Sequence, residues 1–420
     1  MVSSILMISN FGPIKEANIG VKEFLILTGT QASGKSTVAK LIYFFTTFRE
    51  MLILNQLSNY QQHPYTLKQQ VSVYMHKKLF LLFGEYCLTT ETKIKYIYDN
   101  GEYISLSGFY DDHFKVVFSP RINEYLIAHA SEYVDALHPD KNLQEKWNVE
   151  LDGIFDTYAA VYIPAGRSIT SSLGKYFYYW YATMSDEQKD MLDYSIREYI
   201  EEVMRIDPFL DKGIKGLYNK YRDKLSDLRE KSVNILMNDA HKLIKGKYYF
   251  RHGIEKLELD SGEEIDMQQA SSGQQEAVGI VNILMYHLLT QRKVLFIIEE
   301  PEAHLFPDGQ TLITRLIAIA HNAGNNVVLT THSPYILGEL NNLIFAEKIS
   351  KDVARNDLDE IVTDFEYLKY DECGAFFIKE GLVESCLDPE LPGIKNEVID
   401  DAAIVINEQF EDMLALMQEK

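Results

Sequence analysis

Gly29-Thr30-Gln31-Ala32-Ser33-Gly34-Lys35-Ser36 stands between the apolar run at residues 24–28 and a second apolar stretch that reaches to about residue 54. Every fixed position of the phosphate-binding loop GxxxxGK[ST] is filled, with a strand expected before it and a helix after it. Each part has a physical task. Glycines let backbone N–H groups curl around phosphate oxygens, and the helix N-terminus adds positive potential. Lys35 reaches the β- and γ-phosphates, and Ser36 holds Mg²⁺. Strand and helix alternate again in the second half of the chain, which predicts an α/β fold around a parallel sheet.

Three further segments carry chemistry. Val294-Leu295-Phe296-Ile297-Ile298-Glu299-Glu300-Pro301 reads as a buried strand ending in two carboxylates. In this sheet class such an end lies beside the phosphate loop. One acid there binds Mg²⁺ directly or through water, and the other orients and deprotonates the attacking water. Ala270-Ser271-Ser272-Gly273-Gln274-Gln275 opens an apolar helix; its hydroxyls and helix N-terminus suit a γ-phosphate, and equally an ordinary cap. Thr331-His332-Ser333 ends a strand expected near residues 326–331. A His at that end of a parallel strand either faces the ligand crevice or is structural.

The flanking chain is expected to form strands at residues 4–9, 79–83, 94–98, 116–118 and 159–163. Gly12-Pro13 and Asp99-Asn100-Gly101 mark turns, and residues 124–147 are expected to be helical. Ser185 with Gln188 fits a capping box for a helix with Leu192, Ile196, Tyr199, Ile200 and Val203 on its apolar face, ended by Pro208. Ile214, Tyr218, Tyr221, Leu225, Leu228 and Ile235 then predict one helix over 214–245, roughly 45 Å long. The pair forms either an antiparallel arm or two ordinary amphipathic helices packed on a core. Hairpins are expected at 248–259 and 367–379, and an acidic helix at 396–418.

The 420 residues include 41 Lys+Arg against 62 Asp+Glu, a net charge of −21. Such a surface opposes broad contact with nucleic acid or anionic membrane, while allowing one confined basic channel. With 46% hydrophobic residues the chain can bury a large core, which excludes general disorder. Cys87, Cys373 and Cys386 show no CxxC spacing, so neither a disulfide framework nor structural zinc is expected. No apolar run is long enough to span a membrane, and the expectation is a soluble, cytoplasmic protein.

Taken in order, the four motifs resemble the ATP-binding-cassette ATPases, in particular the SMC/RecF/OLD-like branch. Asn10-Phe11-Gly12-Pro13-Ile14 is similar to the opening of many such proteins. The resemblance covers roughly residues 1–50, 160–170 and 265–345. It implies a P-loop ABC-type ATPase head made from residues 1–167 and 247–349, a helical or coiled-coil-like arm insertion at 168–246, and a C-terminal hairpin and helix at 350–420. It implies ATP and Mg²⁺ as cofactors. Gly29, Ser33, Gly34, Lys35, Ser36 and Thr37 would contact the nucleotide, with Ser36 and Glu299 at the metal. Glu300, His332 and Lys35 would be catalytic, with Glu300 the general base and His332 the switch histidine. Ser271, Ser272, Gly273 and Gln274 would be the signature motif, which in this family acts on ATP held by another chain.

Glu302-Ala303-His304-Leu305 falls where the dimer-contacting D-loop lies, and Tyr162-Ile163-Pro164-Ala165-Gly166-Arg167 is similar to a segment of the same branch. Three positions depart from the family pattern: Ala270 replaces the usual Leu, Ser272 the first Gly of the signature, and Glu299 the usual Asp. Gln61, Gln62, Gln69 and Gln70 are the candidates for the Q-loop glutamine. Arg167 either reaches a phosphate or makes a surface salt bridge.

The same resemblance implies a homo-oligomer, a dimer or larger, with ATP sandwiched between heads. OLD-type nucleases carry a Toprim domain after the ATPase, and the stretch after His332 is short for one. The expected role is therefore an anti-phage switch or scaffold that controls a partner effector such as a Toprim or HNH nuclease, with a phage-encoded trigger. The alternative is a DNA repair or recombination ATPase, which needs a basic surface. A transporter subunit is a third class, from which the large insert before Ser271 departs. The aromatic run at residues 176–181 suits nucleic-acid stacking, or packing against a core or partner.

Overall fold

Alternate side chains of the strand before the phosphate loop enter two separate cores, Phe24 and Ile26 one, Leu25 and Leu27 the other. Burial on both faces is what a parallel strand covered by helices on both sides requires. The chain is seen in a computed structural model that describes residues 3–58, 66–84, 87–110, 113–130, 141–155, 158–389 and 391–395. Its strands are β1 (Ser4–Phe11), β2 (Ile14–Val21), β3 (Phe24–Gly29), β4 (Lys93–Ile97), β5 (Tyr103–Tyr110), β6 (His113–Phe118), β7 (Ala159–Ile163), β8 (Gly246–Arg251), β9 (Ile254–Leu259), β10 (Glu264–Asp266), β11 (Val294–Glu299), β12 (Asn326–Thr331), β13 (Cys373–Lys379) and β14 (Leu382–Ser385).

One large sheet runs β6-β5-β4-β1-β2-β14-β13-β3-β12-β11-β7, and β10-β9-β8 form a small one. From β13 to β7 every pairing is parallel. From β6 to β2 every pairing is antiparallel. The α/β class expected from the sequence is what the structure shows. Strands β11 and β12 divide their side chains as β3 does: Phe296, Ile298, Val327 and Leu329 enter the first core, Leu295, Ile297 and Val328 the second. Helices Ser272–Thr290, Pro307–Asn322 and Pro334–Ile349 close the first core, and Lys35–Thr46 and Leu67–Phe83 the second. Among the described residues no helix is long and apolar enough to cross a membrane.

Several local expectations are corrected. Residues 79–83 are the last turns of the helix Leu67–Phe83, which Thr66 opens with a capping box to Gln69. Five apolar residues fit either periodicity, and that upstream cap decides the matter. Gly12-Pro13 turns the chain into β2, where Ile14, Ala17 and Ile19 are buried. The turn at 99–101 likewise leads into an unforeseen β5. Helices Pro120–Ala128 and Lys141–Asp152 overlap the two ends of the region expected to be helical and extend beyond it. Ser185 caps only the short helix Asp186–Asp190, and Asp193 caps Tyr194–Ile206, which carries the apolar face.

The single long helix over 214–245 is two. Gly213–Tyr221 is followed by a tight 3-10 turn and an extended Leu225, and Ser226 then caps Asp227–Ile244. Ile214, Tyr218, Tyr221, Leu225 and Ile235 pack against the first core, and Leu228 points to solvent. The stripe therefore belongs to two helices packed on the helix Ser272–Thr290 and on β8. The C-terminal hairpin forms at β13 and β14, later than expected, and β13 is a central strand, paired with β3 from Cys373↔Phe24 to Ile378↔Gly29. The helix expected at 396–418 lies outside the described residues.

The helices between β7 and β8 meet β8 and β9 through a buried acidic pair. Tyr178 and Tyr248 hydroxyls donate to Asp207, and the Tyr248 hydroxyl lies 3.0 Å from Glu255. Burial, then repulsion from Glu255, pushes Asp207 up to about 8, and burial pushes Glu255 to about 7. The folded chain thus keeps protons that the unfolded chain releases above about pH 4. That contribution to stability is full below about pH 4 and is lost as pH rises through about 8. Asp207→Asn is expected to flatten this decline in urea-unfolding free energy. An equal pH slope in variant and wild type would contradict the assignment.

Candidate functional site

The parallel strands end level. Thr28 pairs with Thr331, Thr330 with Glu299, and Ile298 with Ile163. The residues that follow β3, β12, β11 and β7 therefore meet along one edge, the ligand-binding edge of open α/β sheets. The acid-bearing β11 is not next to β3; β12 lies between them.

The phosphate loop leaves β3 at Gly29 and enters its helix at Lys35. Gly29 has φ 145, and a Cβ there would sit 2.2 Å from the Ile378 carbonyl oxygen of β13. Gly34 has φ 110, and a Cβ there would meet Ile14 at 2.6 Å and Pro13 at 3.0 Å. Both glycines are thus demanded by backbone conformation and close approach. The N-terminal hairpin turn and the C-terminal strand wall the loop from two sides. Lys35 is buried, and its Nζ donates to the carbonyls of Gly29 (3.0 Å) and Thr30 (2.9 Å). Burial lowers its pKa, and the carboxylates of Glu300 and Glu302 pull the other way. The Ser33 hydroxyl is buried without a hydrogen-bond partner. Ser36 is exposed and Thr37 half-buried on the first turn. An orphan hydroxyl, close-packed glycines and a lysine parked on loop carbonyls fit a phosphate ligand.

Glu299 is buried; Tyr162 OH donates to its Oε1 at 2.9 Å and the Ala165 N–H to its Oε2 at 3.3 Å. Burial and the adjoining Glu299 carboxylate hold the Tyr162 hydroxyl well above its ordinary pKa, so it stays a donor. Each Glu299 oxygen keeps acceptor capacity for a metal-bound water. Glu300 takes a left-handed backbone, φ 43, which is strained for a residue with a Cβ. Its N–H donates to the Thr330 carbonyl at 2.9 Å, and its partly exposed carboxylate lies 3.5 Å from His332 Nδ1.

The sequence reading gave Glu302 no role beyond its place in the D-loop stretch. It is buried, and its Oε1 accepts from Thr331 OH (2.7 Å) and the His332 N–H (2.9 Å) and lies 3.3 Å from His332 Nδ1. Its other oxygen is buried with no hydrogen-bond partner. Glu302 therefore orients the His332 backbone and ring together. A third acid two residues past the strand-end pair Glu299-Glu300 is the signal that the sequence carries.

Arg167 neither reaches out toward a phosphate nor sits on the surface. It is 1% exposed and donates to the carbonyls of Pro164 (3.1 Å), Glu299 (2.8 Å), Glu300 (3.0 Å) and Glu276 (3.3 Å). Its Nε also forms an ion pair with the Glu276 carboxylate at 2.9 Å. Glu276 stands where the polar first turn of its helix gives way to the apolar stretch, and it is 2% exposed, so its charge is paired inside the fold.

Ser271 caps the helix Ser272–Thr290. Its hydroxyl accepts from the Gln274 N–H, and Gln274 Oε1 accepts from the Ser271 N–H. Gln274 also donates to the Ile244 carbonyl at 2.8 Å. A Cβ on Gly273 would lie 2.8 Å from the His304 carbonyl, so this turn packs on the segment after Glu302. Ser271 and Ser272 remain exposed. Lys35, Glu299, Glu300 and His332 thus gather at the strand edge. The hydrogen bonds of Ser271 and Gln274 go to each other and to Ile244. Of the Q-loop candidates, Gln69 serves the Thr66 cap and Gln70 is buried in the same helix; Gln61 and Gln62 lie outside the described residues.

A family model described as an AAA ATPase domain matches residues 181–337. The matched span takes in Ser271–Gln274, Glu299, Glu300 and His332 but not residues 29–36. None of the curated proteins matches the sequence. Among solved structures, the SMC head domain from Thermotoga maritima is 8% identical with a TM-score of 0.38, covering 91% of this chain and 97% of that one. The SmcHead bound to the C-winged helix domain of ScpA is 11% identical with a TM-score of 0.42, covering 92% and 97%. The Smc head domain with an extended coiled coil, bound to the C-terminal domain of ScpA derived from Pyrococcus furiosus, is 11% identical with a TM-score of 0.41, covering 97% and 98%.

Proposed function

We propose that this chain is an ATP-hydrolysing switch of the ABC type, in the SMC/RecF/OLD-like branch, that assembles through ATP held between copies and controls a partner effector. One arrangement supports this most. Lys35, Glu299, Glu300 and His332 converge at one strand edge, while Ser271 and Ser272 stand exposed on a separate helix cap. A phosphate-binding set divided in this way is used fully only when a second copy presents its cap to the first copy's nucleotide.

The geometry supports the following roles. The N–H groups of residues 29–36 and the Ser33 hydroxyl take phosphate oxygens. Lys35 exchanges its two loop carbonyls for β- and γ-phosphate oxygens. Ser36 and Glu299 would hold Mg²⁺, which would offset the charge that Glu299, Glu300 and Glu302 set against a triphosphate. Glu300 takes a proton from the attacking water as its oxygen bonds to the γ-phosphorus. The bond to the β–γ bridging oxygen breaks, and ADP leaves with that oxygen. His332, oriented by Glu302, faces the same phosphate.

The net charge of −21 and the exposed Phe306 (78%) and Tyr335 (54%) near the strand edge favour a protein partner over bulk DNA. An effector nuclease of Toprim or HNH type in anti-phage defence, answering a phage-encoded trigger, is the partner class that the family resemblance implies. If two copies complete each site, ATP turnover per molecule rises with protein concentration across a dilution series. Turnover per molecule that stays constant over the whole series would overturn the shared-site reading.

A further inference from the structure

We propose that Arg167 is a positioning residue that couples the Ser271-capped helix to Glu300. One planar guanidinium, buried at 1% exposure, holds the carbonyls of Glu299 and Glu300 on one side, and the Glu276 carbonyl and carboxylate on the other. Its fork geometry serves several acceptors at once, which a lysine ammonium cannot do in the same plane.

The coupling matters because of what stands at each end. Glu300 holds a left-handed φ of 43 that persists only where its surroundings over-determine it. The Thr330 carbonyl fixes its N–H and Arg167 its carbonyl. At the other end Glu276 lies in the second turn of the helix whose cap is the exposed Ser271, and the Gln275 N–H bonds to the Ser271 carbonyl at 3.0 Å. A shift of the cap, as when it meets a ligand, is thereby passed through Glu276 and Arg167 to the Glu300 backbone. Desolvated within the fold, the link is screened little by solvent.

The kinetic test rests on the ATPase reading; a hydrogen-exchange test does not. In Arg167→Met, kcat for ATP is expected to fall about 100-fold, the cost of a small misplacement at the reacting centre. KM for ATP should stay within about threefold, since the phosphate loop is untouched. Arg167→Lys should fall between variant and wild type. Without nucleotide, the amides of Glu300, Ala303 and Gln275 should all exchange faster in the variant. A folded Arg167→Met protein with kcat within about twofold of wild type, or with faster exchange only around residues 164–167, would overturn the proposal. If Arg167→Met does not fold, Glu276→Gln, which keeps volume and one acceptor, should give the same kcat loss and the same paired exchange change. A wild-type chain that does not hydrolyse ATP would defeat the ATPase reading, leaving the exchange pattern to decide the clamp.

Discussion

Glu300→Gln is expected to bind ATP as the unmodified chain does and to hydrolyse it on the order of 10²–10⁴-fold more slowly, the usual contribution of a general base. The substitution keeps the side-chain volume. It leaves the Thr330 and Arg167 bonds to the residue 300 backbone in place, because neither uses the carboxylate. Only the proton acceptor is lost, at a point 3.5 Å from His332 Nδ1. Rapid-quench single-turnover measurements separate the chemical step from release. A variant with near-normal single-turnover rates would show that the water is activated elsewhere, with Glu302 and Glu299 the remaining acids at that edge.

Lys35→Ala is expected to remove nucleotide binding at usable concentrations. The ammonium is buried; on the proposed reading it pairs with the phosphates, and losing one partner of a buried charge pair costs about 2–5 kcal/mol. That is a loss of tens to thousands-fold in ATP affinity. A second effect appears without ligand. The carbonyls of Gly29 and Thr30 lose their donor, so the free variant should be less stable by about 1–3 kcal/mol in urea unfolding. Calorimetric titration reads the first effect and denaturation the second. Unchanged ATP affinity in a folded variant would remove Lys35 from the site.

The strand, loop and helix around residues 29–36 were legible because a phosphate-binding loop needs contiguous residues whose types repeat wherever the job is done. The strand ending at Glu299 was legible for a similar reason: burial on both faces leaves an uninterrupted apolar run that stops where the site begins. Other parts depend on distance along the chain. β13 reads locally as one more apolar segment, and nothing near Cys373 tells that it will pair with Phe24 and press its Ile378 carbonyl against Gly29. Arg167 and Glu276 are 109 positions apart, and nothing in the sequence near either one names the other as its partner. Ser271 shows a limit of another kind. The spacing Ser-x-x-Gln is both a helix cap and a phosphate-facing turn; the structure makes the cap, and the two uses exclude each other only if the hydroxyl cannot be released. The heptad-like stripe from Ile214 failed as a long helix because periodicity does not register a break. Ser226 supplies one, and the same apolar residues find the core from two shorter helices.

The central claim is that ATP held at the strand edge of one copy is completed by the exposed Ser271 cap of another. Sedimentation velocity of Glu300→Gln with Mg²⁺ and ATP, with ADP, and without nucleotide tests it most directly. The account predicts a dimer or larger species with ATP that falls back with ADP and without nucleotide. The same sedimentation coefficient under all three conditions, in a protein shown to bind ATP, would contradict it.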